Sequence, residues 1–226
     1  MVKCYSYADG KLSEHTELQH ESVIELISPT QSEISDVAQF LKIDESDINA
    51  LVAGDFDNIK CKKPMFAMRI NSTMNVMIIL GDYMVICHDK ADKSSKENKE
   101  VEQLIHAIWG TAMNQGYMNL DSQDIYDLFQ GVKTAHWDSG VARGEQKIDG
   151  TLNDLSSEFW DIVSKSPRVL INITISNDIC LEEIDALMTK IRQALSPQAW
   201  MIYSVSFNGE SNNEIRTTIV AADSAA

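Results

Sequence analysis

The sequence predicts an α+β protein of two domains, each a mixed sheet packed with helices. Three observations carry this. Short apolar or alternating runs of strand length recur along the chain. Between them lie stripes at helical spacing, several opened by a capping pair. The polar stretch Ala91 to Lys99, between two such sets, marks a linker or the exposed start of a helix. The boundaries read as residues 1–92, a connecting helix at 93–115, and residues 116–226. A chain of 226 residues is long enough to bury a large core.

Taken in order, Val2 to Tyr7 is a strand and Asp9-Gly10 a turn dipeptide. Ser22 to Ile27 is a second strand. Thr30 and Glu33 have N-cap and N3 spacing, opening a helix with Ile34, Val37, Ala38 and Leu41 on one face. Asp44 caps a short helix through Ile48, Leu51 and Val52, which Gly54 ends. Met65 to Ile70, Met74 to Leu80 and Tyr83 to His88 are strands, the last two joined by Gly81-Asp82. Val101, Leu104, Ile105, Ile108, Trp109 and Ala112 form a helical stripe.

That helix runs into Gly116-Tyr117-Met118-Asn119-Leu120-Asp121-Ser122-Gln123-Asp124, a helix stop followed at once by a helix start. Gly116 is expected to end the helix through positive φ. Asp121 and Asp124 have capping-box spacing, and Asn119 adds a third polar group. The next helix carries Ile125, Leu128 and Phe129 and stops at Gly131. Val132 to Val141 is a strand. Ile148, Leu152, Leu155 and Phe159 mark one helix, weakened by Gly150. Pro167 precedes the strand from Arg168 to Ile175. Leu181 to Leu195 is a helix, and Trp200 to Phe207 and Glu214 to Ala222 are strands around the turn 208–213.

Composition narrows function. Net charge is −15, from 34 acids against 19 bases, which disfavours nucleic-acid binding. Lys60, Lys62 and Lys63 cluster, while Lys90, Lys93, Lys96 and Lys99 alternate with acids as a solvated helix face. The four cysteines, Cys4, Cys61, Cys87 and Cys180, have no CxxC spacing, and Cys87 reads as a buried reduced thiol. No signal-peptide core and no membrane-length apolar run is present, so the expected location is cytoplasmic, without membrane insertion.

The run Glu25-Leu26-Ile27-Ser28-Pro29-Thr30 with Glu33, and Ile79 to His88, resembles the soluble N-terminal domain of CorA-type magnesium transporters. The sequence has no membrane helices and no Gly-Met-Asn pore signature, so transport is excluded. The second half resembles the C-terminal domain of FtsZ, the bacterial tubulin homologue, over about residues 100–222. The helix Val101 to Met113 matches the family's central helix. Residues 116–124 match its loop Gly-Leu-Met-Asn-Leu-Asp-Phe-Ala-Asp. Ser139 to Glu145 match Gly-Val-Ala-Ser-Gly-Glu. Val169 to Thr174 with Leu181-Glu182-Glu183 match its Val-Leu-Ile-Asn-Ile-Thr strand and Leu-Glu-Glu helix start. Glu214 to Ala222 match its final strand.

This resemblance implies that the 116–124 loop enters the nucleotide pocket of another subunit. There Asp121 and Asp124, beside Asn119, would help orient the water that attacks the γ-phosphate. Ser122 and Gln123 replace the family's apolar pair. Capping alone also accounts for both acids. No Gly-Gly-Gly-Thr-Gly loop, Walker sequence or GxGxxG occurs, so no cofactor, no resident metal and no catalysis in cis is expected. The expected partner is an FtsZ- or tubulin-type GTPase, or a second copy of the chain. The alternatives are a soluble metal- or ligand-responsive regulator using the CorA-like domain, and a self-assembling structural protein. For the metal reading the candidates are Asp44, Glu45 and Asp47, and His88 with Asp89. Helix-start acids and an exposed strand end are the plainer accounts of these. His136, beside Trp137, reads as a surface or core-edge residue.

Overall fold

The computed structural model describes residues 1–8, 11–20, 22–71, 73–80, 83–88, 95–113 and 116–223. Ten strands and seven helices alternate along these residues. The strands are β1 (Val2–Ala8), β2 (Lys11–His15), β3 (Ser22–Ile27), β4 (Met65–Ile70), β5 (Met74–Ile79), β6 (Tyr83–His88), β7 (Thr134–Arg143), β8 (Arg168–Ile175), β9 (Trp200–Phe207) and β10 (Glu214–Ala222). The helices are α1 (Gln31–Leu41), α2 (Glu45–Ala53), α3 (Ser95–Met113), α4 (Ser122–Phe129), α5 (Lys147–Asn153), α6 (Ser157–Val163) and α7 (Leu181–Ala194).

All ten strands lie in one sheet, in the order β2-β1-β3-β6-β5-β4-β7-β10-β8-β9. The sheet therefore continues across the expected boundary between the two halves. The seam is short: β4 and β7 pair in parallel only at Arg69↔Thr134 and Ile70↔Ala135. Asn71 extends it with its side chain. Its Nδ2 donates to the Trp137 carbonyl (3.1 Å), and its Oδ1 accepts from the Trp137 N–H (2.9 Å). Asn71 holds φ at 48°, a left-handed conformation that Asn tolerates better than most residues.

Side-chain alternation divides the helices between the two faces of the sheet. Helices α3 and α4 share one face and bury residues from both halves: Phe66, Met68 and Ile86 on one side, Trp137, Leu170 and Val220 on the other. Phe66 of β4 stacks on Phe129 of α4, with ring centroids 5.5 Å apart. On the opposite face, α1 and α2 cover Ile24, Leu26, Met77 and Val85. There too α5, α6 and α7 cover Val169, Ile171, Ile173 and Ile219. So α3 is a packed core element as well as a connection.

Local chemistry explains the element ends. Thr30 and Glu33 form the expected capping box on α1. Asp44 occupies the N-cap of α2 without a side-chain cap bond, and Gly54 ends that helix at φ 71°. Three features go beyond what the sequence shows. The short edge strand β2, polar and adjoining the Asp9-Gly10 turn, was not expected; that turn and Gly81-Asp82 lie outside the described residues. The single helix over 148–159 is two, because Ser156 takes an extended backbone and caps α6 through Phe159 N–H. β9 and β10, joined by the turn 208–213, are not neighbours: β8 lies between them, parallel to β9 and antiparallel to β10.

Asn71→Ala removes both side-chain bonds at the seam and should destabilise the protein by about 1–3 kcal/mol, read as a lower urea midpoint. Asn71→Gly also loses both bonds but avoids the strain Ala meets at positive φ, so it should cost less than Asn71→Ala.

Candidate functional site

The segment 116–124 crosses from the end of α3 to the start of α4 along the outer edge of the sheet. Its anchor is a β-bridge to β9: Met118 N–H donates to the Val205 carbonyl (3.2 Å), and Val205 N–H donates to the Met118 carbonyl (3.0 Å). Gly116 is required by this contact. It does not adopt positive φ, as the sequence reading expected. A Cβ there would collide with the Val205 carbonyl oxygen, so glycine permits the close approach of two backbones. The Gly116 N–H is satisfied by Asn119 Oδ1 (2.6 Å).

α3 is held against the same strands by a buried polar cluster. Asn172 Nδ2 donates to Thr111 Oγ1 (2.8 Å) and Ser204 Oγ (3.1 Å). Thr111 Oγ1 donates to the Ala107 carbonyl (2.6 Å). The helix end and the edge strand are thus tied together one turn before the loop begins.

At the start of α4, Asp121 Oδ1 accepts from Asp124 N–H (2.8 Å) and Asp124 Oδ2 accepts from Asp121 N–H (3.2 Å). This is the expected reciprocal capping box. Each acid commits one oxygen to the cap, and both carboxyls remain exposed. Among the described residues no Lys or Arg pairs with either. Gln123 Nε2 donates to Asp127 Oδ1 (2.7 Å), and Ser122 is half-buried. Tyr117 and Met118 are exposed by 52% and 38%, which sets two large apolar side chains beside the acids. Trp200 and Phe207, at the two ends of edge strand β9, are exposed as well.

With this geometry in place, the comparison with known proteins is specific to one part of the chain. Residues 134–225 match the FtsZ family, C-terminal domain. This stretch of the chain is FtsZ-like. It contains β7 to β10 and the helices between them, whereas residues 116–124 lie just before it. Similar proteins include cell division protein FtsZ of Methanothermobacter thermautotrophicus, 31% identical over 109 residues, covering 47% of this chain and 29% of that protein. Cell division protein FtsZ of Wigglesworthia glossinidia brevipalpis is 26% identical over 133 residues, covering 58% and 35%. The chain thus spans about a third of the length of these two FtsZ proteins. Among solved structures, an empty FtsZ dimer of M. jannaschii aligns at 21% identity and TM-score 0.48, over 58% of this chain and 40% of that one.

The other residues singled out by sequence fall elsewhere. His88 is not an exposed strand end: its Nε2 lies 2.8 Å from Glu25 Oε1, and Glu25 is only 2% exposed. Asp89 lies outside the described residues. Asp47 is buried and accepts from Lys60 N–H (2.6 Å), and Glu45 accepts from Gln31 and Ser35, so these two acids serve local tethers. Among the described residues no three His, Cys, Asp or Glu side chains converge on a position that could hold a metal ion. His136 is half-buried at the core edge, and Cys4 and Cys87 are buried. Among the described residues no helix is long and apolar enough to cross a membrane.

Sequence reasoning missed the setting of Glu25. The signal was available: a single acid inside the apolar strand Val23-Ile24-Glu25-Leu26-Ile27 must find partners when buried. They are His88, Tyr5 Oη (2.8 Å) and Lys3 Nζ (3.5 Å). Burial pushes the Glu25 carboxyl up, but the bonds from His88 and Tyr5 and the charge of Lys3 outweigh it, and its pKa falls below the ordinary 4.5.

Two outcomes follow. Asp121→Ala should lower stability by about 1 kcal/mol, while Asp121→Asn, a good N-cap without the charge, changes it by less than about 0.5 kcal/mol, both read in urea melts. Because the folded-state pKa of Glu25 is depressed, its contribution is present above the unfolded value near 4.5 and is lost as pH falls below it. Glu25→Gln should therefore flatten the fall in melting temperature over the acid range beginning there.

Proposed function

We propose that this protein acts on an FtsZ-type filament subunit, without chemistry of its own, through the segment 116–124. The observation that carries the proposal is the FtsZ-like stretch 134–225, with the Tyr117–Asp124 surface displayed beside it on the edge of the same sheet. Its surface has the makeup of a docking site: exposed Tyr117 and Met118 for contact area, Asn119 and Gln123 for polar contacts, and the outward oxygens of Asp121 and Asp124 for charge. Docked against a bound nucleoside triphosphate, those two carboxylates would hold a water in trans. On this reading residues 1–92 are an appended unit, CorA-like in descent, joined by the helix at 93–115. The protein then works where its partner works, in the cytoplasm, in cell division or its regulation.

Self-association is the second reading, favoured by exposed Trp200 and Phe207 on the edge strand β9. Two measurements separate the readings. Added to an FtsZ-type GTPase assembling with GTP, the protein should change the light-scattering plateau, and Asp121→Asn should reduce that change at unaltered stability. The protein alone should hydrolyse no GTP. Unchanged scattering at several-fold molar excess overturns the partner reading, and a single monomeric species in sedimentation velocity overturns self-association.

A further inference from the structure

Edge strand β9 is closed at one end and open at the other. Backbone N–H and C=O groups of successive strand residues turn to opposite sides. Trp200 N–H donates to the Pro167 carbonyl and Asn208 N–H to the Ile175 carbonyl, so the even-numbered residues of β9 turn toward β8. Met201, Tyr203 and Val205 turn outward. The bridge to Met118 occupies both outward groups of Val205, and Gly116 lies against the same carbonyl. Met201 and Tyr203 each keep an outward N–H and C=O, and among the described residues these groups have no partner.

The open half also lacks the devices that keep an exposed edge unpaired. β9 contains no charged residue and no proline. Between Arg192 and Glu210 no Asp, Glu, Lys or Arg occurs, although 23% of the chain is charged. The opposite edge of the sheet, β2, carries Lys11, Glu14 and His15. Apolar side chains flank the open half on both faces of the sheet. Ile202 packs at the margin of the core under α3, Met201 and Tyr203 at the margin of the core under α7, and Trp200 is exposed.

Two features select the occupant. Free donors and acceptors in strand alternation call for another extended strand. A chain of net charge −15 meets its own copy at least cost across a neutral surface, and β9 is neutral. Antiparallel pairing of a strand with itself is self-complementary across a two-fold axis. We propose that two copies of this chain pair antiparallel through the open half of β9, about a two-fold axis at Ile202. Met201 of each copy then faces Tyr203 of the other. Two N–H and two C=O groups from each copy close four hydrogen bonds and leave none of them free. The Met118 bridge at Val205 stops the pairing in both copies and so fixes its register. A contact this short makes a reversible, concentration-dependent dimer. The proposal rests on the self-association reading and names its contact.

The test is sedimentation velocity of the whole protein over a concentration series, with amide hydrogen exchange alongside. Wild type should show a monomer–dimer equilibrium, and exchange at Met201 and Tyr203 should slow as concentration rises. Met201→Pro deletes an outward N–H that the protomer itself does not use, at an edge position where proline is tolerated. The loss acts twice across the axis, so the dimer dissociation constant should rise about tenfold or more. Tyr203→Lys should weaken the dimer by setting like charges at the junction. Urea midpoints close to wild type verify that the variants fold. Phe207→Lys, at an exposed residue outside the paired ones, should leave the dissociation constant unchanged. A dimer that withstands both Met201→Pro and Tyr203→Lys, or that only Phe207→Lys breaks, overturns strand pairing while self-association stands. A monomer at every concentration overturns both. Protection of the Met201 and Tyr203 amides that appears only when an FtsZ-type subunit is added assigns the edge to that partner and also overturns the proposal.

Discussion

The structure depends on a seam two residue pairs long. Arg69 and Ile70 of β4 meet Thr134 and Ala135 of β7, and the Asn71 side chain continues the ladder to Trp137 by imitating a backbone donor and acceptor. Two pairs are too few to hold two sheets in line unaided. The remainder comes from the shared core, where Phe66 meets Phe129 and Trp137 is buried near Met68 and Ile70. Burial of that kind is non-directional. The seam supplies direction, and the core supplies the larger share of free energy. Lys133 and Asp57, 2.7 Å apart at the surface, bridge the same junction but are exposed and contribute little.

Once the sheet is continuous, the position of the 116–124 segment follows. α3 lies across both halves, pinned near its end by Thr111, Asn172 and Ser204, and the chain leaves it directly over edge strand β9. Gly116 then brings backbone against backbone, and Met118 closes one bridge before Asp121 starts α4. The segment serves fold and display together. Its inner atoms satisfy helix-end donors, and its outer atoms face solvent. Asp121 and Asp124 do both at once, because a carboxylate has two oxygens and a capping box uses one.

The acids of the opposite half follow a different rule. Glu25 could be buried only with three partners around it, and that arrangement uses up Lys3. Burial first, then the neighbouring acids Glu25, Glu14 and Glu102, hold the Tyr5 phenol above its ordinary range. A buried acid and a raised tyrosine are one electrostatic arrangement, organised by strand register.

Local chemistry was legible in the sequence wherever neighbours in the chain make the interaction. The boxes Thr30–Glu33 and Asp121–Asp124, the left-handed end at Gly54 and the strand Arg168 to Ile175 all arise within a few residues, so spacing sufficed. The FtsZ-like stretch was also readable, because its matched segments keep their order along the chain. Contacts between distant residues decided the rest. Ser156 splits one expected helix, β8 separates β9 from β10, and Gly116 is glycine because Val205 lies against it rather than for its φ. His88 gained Glu25 as a partner from a strand 63 positions away. Periodicity and capping record what a segment does with itself. The seam at Asn71, the partners of Glu25 and the approach at Gly116 are pairings across the sheet, and only the folded chain brings them within bonding distance.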